Sequence, residues 1–243
     1  MAKRFLLVSA LAAFVVGGAF AQIQMSAGAG FVKNGGRVGQ ATFDKYNMDY
    51  VYNLSDSNAG GFLFFDATYA ELSVGFLGGR STDVFYDNKT GGDPSKTAEP
   101  MSVNSITSLD ISLLGRYPVA VGKMTVAPLL GVGYNIVVGL KDLQGNDPFE
   151  YQNKDESELG KKFHNKAGNY SAFRIQLGAG ADFDVTDQVF LRFQGLAFYR
   201  LPTKGQDIEL AYTASSKGAP EADWPKAKGG FGGTFTAAVG YRF

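Results

Sequence analysis

The chain has 243 residues, 45% apolar and 14% aromatic, with 32 glycines and no cysteine. That length suits one domain, and so much apolar and aromatic content excludes a disordered chain. The cysteine count excludes a disulfide framework, a thiolate metal site and a thiol nucleophile, and 23 bases against 23 acids give no broad attraction to nucleic acid.

Residues 1–21 read as a secretory signal peptide. Lys3 and Arg4 precede an uncharged run from Phe5 to Phe20, which ends in Ala19-Phe20-Ala21. The run is short for a membrane helix and ends in small residues. Its removal leaves a mature chain of 22–243 with 21 bases and 23 acids. The mature sequence has no other apolar run long enough for a helical span, so entry into a membrane would require strands.

Eight segments alternate with the period of two that marks a strand. In 23–32, Ile23, Met25, Ala27, Ala29 and Phe31 oppose Gln24, Ser26, Gly28 and Gly30. Segment 61–67 carries Phe62, Phe64 and Phe65, and its faces are ambiguous. In 70–78, Leu72, Val74 and Phe76 oppose Glu71, Ser73 and Gly75; in 107–117, Leu109, Ile111, Leu113 and Tyr117 oppose Ser108, Asp110, Ser112 and Arg116. Segment 124–136 sets Val126, Leu130, Val132 and Tyr134 against Thr125, Gly131, Gly133 and Asn135. In 173–184, Phe173, Ile175, Leu177 and Phe183 face away from Arg174, Gln176, Asp182 and Asp184. Segment 189–201 places Leu191, Phe193, Tyr199 and Leu201 opposite Arg192, Gln194 and Arg200, although Phe190, Leu196 and Phe198 share the polar face. In 231–243, Phe231, Phe235, Val239, Tyr241 and Phe243 alternate with Gly232, Thr234, Thr236, Gly240 and Arg242.

The links between them alternate too. Short ones fall at Asp66-Ala67-Thr68, 118–122 and 185–187; long polar ones at about 33–59, 79–104, 138–169 and 202–229. That rhythm predicts an all-β, eight-stranded, antiparallel up-and-down barrel with tight turns at one end and long loops at the other.

Three features point to lipid outside the barrel. The polar face is made of small residues and few charges, which suits a cramped interior. Aromatics stand about ten residues apart on the apolar stripes, as Phe173 with Phe183 and Phe231 with Tyr241, which corresponds to about 25 Å for tilted strands. Tyr117 and Tyr199 occupy similar stripe ends, where amphipathic rings favour headgroups. The sequence finishes on a strand, and a closed barrel needs a last strand to pair with its first, leaving no edge in hydrocarbon.

Gly240-Tyr241-Arg242-Phe243 looks like the C-terminal assembly signal of bacterial outer-membrane barrels, with a terminal Phe and an aromatic two residues earlier. With the signal peptide, the chain resembles the small eight-stranded barrels: the OmpA transmembrane domain, OmpX and the OmpW–OprG group. The resemblance implies export, escort by periplasmic chaperones, insertion by the barrel-assembly machinery and residence among outer-membrane lipids.

Candidate chemistry is concentrated on the inward face. Glu71, Asp110, Asp182 and Asp184 face Arg116, Arg174, Arg192 and Arg200, four acids and four bases. Buried charges need partners, so these predict an ionic plug, with Glu71, Arg116, Asp182 and Arg192 in the half near the short turns. The competing reading is a gate whose pairs exchange. His164 with Ser157 or Ser171 lacks any G-x-S-x-G context, so a lipid-modifying enzyme is the weakest alternative. Gly91 to Thr97 misses the glycines of a phosphate loop, and acids at Asp155-Glu156 and Asp87 to Asp93 lack EF-hand spacing. No cofactor or metal is expected. Trp224 is read as an interface or partner anchor. The expected role is non-enzymatic, in the envelope or through surface loops and their ligands. A narrow conduit for small hydrophobic solutes is the alternative, which lumenal Phe62 to Phe65, Leu196 and Phe198 would favour.

Overall fold

The computed structural model describes residues 24–43, 50–87, 100–150, 161, 163–216, 221, 224 and 226–243. The expected signal peptide and Ser157 lie outside them.

Nine strands form one antiparallel sheet: β1 (Met25–Phe43), β2 (Tyr50–Ala67), β3 (Ala70–Asp87), β4 (Pro100–Arg116), β5 (Val119–Val121), β6 (Met124–Lys141), β7 (Ala172–Asp184), β8 (Val189–Arg200) and β9 (Gly230–Arg242). β1 pairs with β9 and β4 with β6, so the sheet closes on itself. Val119↔Val126 keeps the register of Arg116↔Leu129, which makes β5 a resumption of β4. Pro118 interrupts the two because it offers no N–H to the ladder. The wall is therefore a closed eight-stranded antiparallel barrel.

The turns at one end are tight. Thr68 takes a left-handed φ of 35° between β2 and β3, and its amide and hydroxyl bond Gln24 across the turn. Gly122, at φ 64°, supplies the left-handed residue between β5 and β6 that a side chain would resist.

The opposite end corrects the expected loops. β1 reaches Phe43 and β2 starts at Tyr50, so most of 33–59 is strand; 79–104 is likewise occupied by β3 to Asp87 and β4 from Pro100. The sequence there does not alternate in polarity, while the backbone ladder continues. β6 extends to Lys141, and a 3-10 turn, Ala167–Tyr170, precedes β7. Residues 202–229 contain helix α1 (Lys204–Ser216), whose apolar residues spread around its circumference and leave no sequence stripe.

These loop segments pack a small core of their own. Phe149 stacks on Tyr170 at 5.6 Å, beside buried Ile106 and Val137. Asn165 donates to the Tyr170 hydroxyl at 3.0 Å and to the Gly205 carbonyl at 3.3 Å, tying the 3-10 turn to α1. Trp224 packs on Phe163 with ring centres 5.2 Å apart, so it anchors loop to loop.

Inside and outside follow strand parity. Outward side chains are apolar and exposed, such as Leu63, Phe76, Leu130, Leu177 and Phe235. In β2 the ambiguity resolves: Phe62 and Phe64 point inward and Leu63 and Phe65 outward. Register explains how the rings fit. Phe64 sits across from Gly28, Phe62 from Gly30 and Gly75, Phe190 from Gly240, and Phe198 from Gly232. A Cβ at Gly28 or Gly240 would overlap the Phe64 or Phe190 ring, so each glycine is the space its neighbour fills.

Candidate functional site: the barrel lumen

Strand alternation delivers the lumenal charges to two levels. Near the tight turns, β2 contributes Asp66, β3 Glu71, β4 Arg116, β7 Asp182 and β8 Arg192. Asp66 and Glu71 are directly opposed across β2 and β3, a like-charge pair that requires cations to be tolerated. Arg192, only 1% exposed, supplies one: Nη1 lies 2.5 Å from Asp66 and 2.9 Å from Glu71, while Nε and Nη2 grip both Asp182 oxygens at 2.7 and 2.8 Å. Arg116 supplies the second, bridging Asp66 at 2.6 Å and Asp182 at 2.9 Å. Ser26 donates to Asp66, and Gln194 donates to Glu71 at 2.7 Å while accepting from Thr236. The Arg192 guanidinium also lies over the Phe64 and Phe190 rings at 4.4 and 4.9 Å. Three carboxylates and two guanidiniums leave one net negative charge.

Above this cluster, apolar side chains fill the waist: Val32, Phe62 and Leu77 on one side, Leu114, Leu129 and Leu196 on the other. The second charged level follows. Arg174 pairs with Asp110 at 2.5 Å and reaches Ser112 at 3.1 Å and Gln176 at 3.1 Å. Asn135 bonds Ser108 at 3.1 Å at the same height. Arg200 pairs with Asp56 at 2.6 Å and donates to the Tyr170 carbonyl at 2.7 Å, fastening the loop core onto the barrel mouth.

The space left is small. One cavity of about 20 Å³ is bordered by Phe62, Asp110, Arg174 and Leu196, and another of about 20 Å³ by Asn34, Asp56, Asn58, Arg174 and Arg200. Either volume accommodates about one water. Among the described residues, the lumenal side chains cross-link opposite strands of the wall.

The expected charges are thus distributed as follows. Glu71, Arg116, Asp182 and Arg192 meet in one cluster, Asp110 and Arg174 in another, and Arg200 joins Asp56. Asp184 departs from the buried clusters: it is exposed at the last position of β7 and pairs at 2.6 Å with Arg242, whose guanidinium lies over the Phe190 ring at the turn-end mouth. Sequence reading missed Asp66, which resembled a turn residue, and Asp56, hidden in a supposed loop. The signal for Asp66 was its parity with Phe62 and Phe64.

The aromatic residues lie at both stripe ends. Phe173, Tyr199 and Phe231 sit at the loop end, where Tyr199 and Phe231 rings approach to 4.9 Å and Tyr134 and Phe173 to 4.4 Å. Tyr117, Phe183 and Tyr241 sit at the turn end; Tyr69 and Tyr117 stack at 6.3 Å. Gly240 and Tyr241 pair into β1 and β8, and the Phe243 amide donates to Met25 at 3.0 Å. His164 is exposed, and Ser171 Oγ accepts the Val137 amide at 3.0 Å.

No protein-family model and no curated protein sequence matches this chain. Among solved structures, it is similar to the outer membrane protein OprG from Pseudomonas aeruginosa, at 11% identity and a TM-score of 0.47, covering 91% of this chain and 96% of that one. The N-terminal β-barrel domain of Pseudomonas aeruginosa OprF matches at 13% identity and 0.31, over 91% and 100%. The translocator domain of the autotransporter NalP from Neisseria meningitidis matches at 12% and 0.29, over 100% and 96%.

Proposed function

We propose that this closed barrel is an integral outer-membrane protein of a bacterial envelope, non-enzymatic, that acts as a plugged wall element presenting its loop end to the surroundings. The observation that carries the reading is the inverted polarity of the barrel. Leu177, 61% exposed, faces outward, while Arg192, 1% exposed, faces inward. In water such a distribution would expose a band of leucine and phenylalanine and bury ion pairs at a desolvation cost. In lipid the outer band is solvated, and closure gives every strand of the wall a neighbour on both sides. The aromatic rows at both ends fit the two headgroup layers. On this reading the tight turns are periplasmic and the loop core is extracellular, with chaperones and the barrel-assembly machinery delivering the chain through its last strand.

A second reading has one observation in its favour. Phe62, Phe64, Leu196 and Phe198 are lumenal, an apolar lining suited to small hydrophobic solutes. Against it, the cavities would each admit about one water and no such solute. The test for the first reading is membrane fractionation followed by gel electrophoresis with and without boiling. Outer-membrane recovery and a heat-dependent band shift are expected; full solubility without detergent refutes it. Uptake of an apolar solute into proteoliposomes should be absent, and rapid uptake would favour the conduit.

A further inference from the structure

Two asparagines and an arginine meet beneath the loop core, each with one hydrogen-bonding atom to spare. Asn34 in β1 and Asn58 in β2 are direct cross-strand partners, and both are buried on the inward face. Arg200, at the end of β8, is also buried; its Nη1 donates to Asp56 and its Nη2 to the Tyr170 carbonyl. All three residues border the cavity of about 20 Å³ at the loop end of the lumen. Asn34 Oδ1, Asn58 Oδ1 and Arg200 Nε are buried without a hydrogen-bond partner among the described residues. Each such group carries a desolvation penalty that a bound molecule of the right chemistry would remove.

The three atoms identify that chemistry. Two acceptors and one donor call for a molecule that donates two hydrogen bonds and accepts one, as water does. The volume admits about one water and nothing larger. A halide would face two amide oxygens, with a single donor to offset them. A monovalent cation would suit those oxygens but meet the guanidiniums of Arg174 and Arg200, which already engage the nearby carboxylates Asp110 and Asp56. Asn34 Nδ2 lies 3.5 Å from Asp110 Oδ2, so a flipped Asn34 amide would turn its oxygen on that carboxylate.

We infer that this cavity is a binding site for a single water molecule, which accepts from Arg200 Nε and donates to Asn34 Oδ1 and Asn58 Oδ1. The water is a third tie at the barrel mouth. Arg200 already joins β2 through Asp56 and the 3-10 turn through Tyr170; the water adds β1 and a second point on β2. It thereby holds the guanidinium in the pose that fastens the loop core. The site is argued from lumen geometry alone, so it stands whichever solvent surrounds the barrel.

The experiment crystallises the detergent-solubilised full chain from chloride and from bromide, and follows amide hydrogen exchange in solution. In both salts a density peak is expected at about 2.7–3.2 Å from the three atoms. An anomalous bromide signal there would make this an anion site and overturn the water; absence of any peak overturns the site. N58L keeps the side-chain shape and removes one acceptor, so it should lose the peak. It should also speed exchange of the Asn169 and Ser171 amides, which close the 3-10 turn on the Lys166 and Gly168 carbonyls, by at least about fivefold. T234V, which removes the unpartnered hydroxyl bordering the other cavity, should leave that exchange unchanged. Exchange in N58L equal to wild type overturns the tie, as does an equal acceleration in T234V. A preserved heat-dependent band shift certifies that N58L is folded.

Discussion

Replacing Arg192 with alanine tests whether the lumen is held by its charges. The side chain is 1% exposed and contacts three carboxylates at 2.5, 2.9 and 2.7 Å. Its removal leaves Asp66, Glu71 and Asp182 with Arg116 alone, so the buried charge goes from one excess negative to two. Uncovering one side of a buried ion pair costs about 3–5 kcal/mol, or two to three and a half orders of magnitude in the folding equilibrium. Lost contact with the Phe64 and Phe190 rings adds to this. R242A provides the scale: it breaks the Asp184 pair, whose side chains are 14% and 40% exposed, and a contact with the Phe190 ring, and should cost about 1–2 kcal/mol. The assay is urea unfolding in lipid vesicles, followed by gel mobility, with current recorded across a planar bilayer. R192A should unfold at markedly lower urea or pass ions where wild type passes none. Adding E71Q should recover part of the loss by restoring one excess negative charge. An R192A barrel that unfolds like R242A and stays closed would refute the cross-linking role.

Three further outcomes follow from the same structure. G240L should prevent closure, because its side chain would meet the Phe190 ring, whereas G195A, which meets open space, should leave unfolding within about 1 kcal/mol of wild type. Equal behaviour of the two variants in refolding yield would contradict the ring-to-glycine fit. L177R, in the middle of an outward stripe, should destabilise the barrel by about 2–4 kcal/mol in vesicles; an effect below 1 kcal/mol would argue against lipid at that position. Deleting Phe243 should sharply reduce insertion by the assembly machinery while purified protein still refolds in detergent, measured as membrane-inserted fraction in cells, and normal insertion would remove the assembly role of the final residues.

The strands were most legible where two solvents differ across the wall. Residues 173–183 and 231–241 show clean alternation because one face meets the outer apolar band and the other a crowded polar interior. The ladder runs on through 50–59 and 79–87, but the sequence there does not alternate in polarity and so reads as loop. Helix α1 was illegible for a different reason: its buried face runs through Gln206, Leu210 and Ala214, a stripe interrupted by a polar residue, while Ile208 and Tyr212 lie off it. Strand parity located Arg192 and Asp182 on the inner face, but parity has no end. It carried Asp184 into the buried clusters, although the strand stops there and its carboxylate turns to Arg242. Asp66 was overlooked because Ala67 and Thr68 gave it the company of a turn. The faces of 61–67 became readable only through partners, since Phe62 and Phe64 depend on glycines in β1 and β3.

The unequal strand lengths make the barrel lopsided. β1 has 19 residues and β9 has 13, a difference that corresponds to about 15 Å of height at the usual tilt. The strand ends at Phe43 and Asp87 therefore stand above the loop ends of β7 and β9 on the other flank. On the membrane reading proposed above, the rim at the loop end is uneven, and β1 to β4 form its taller side.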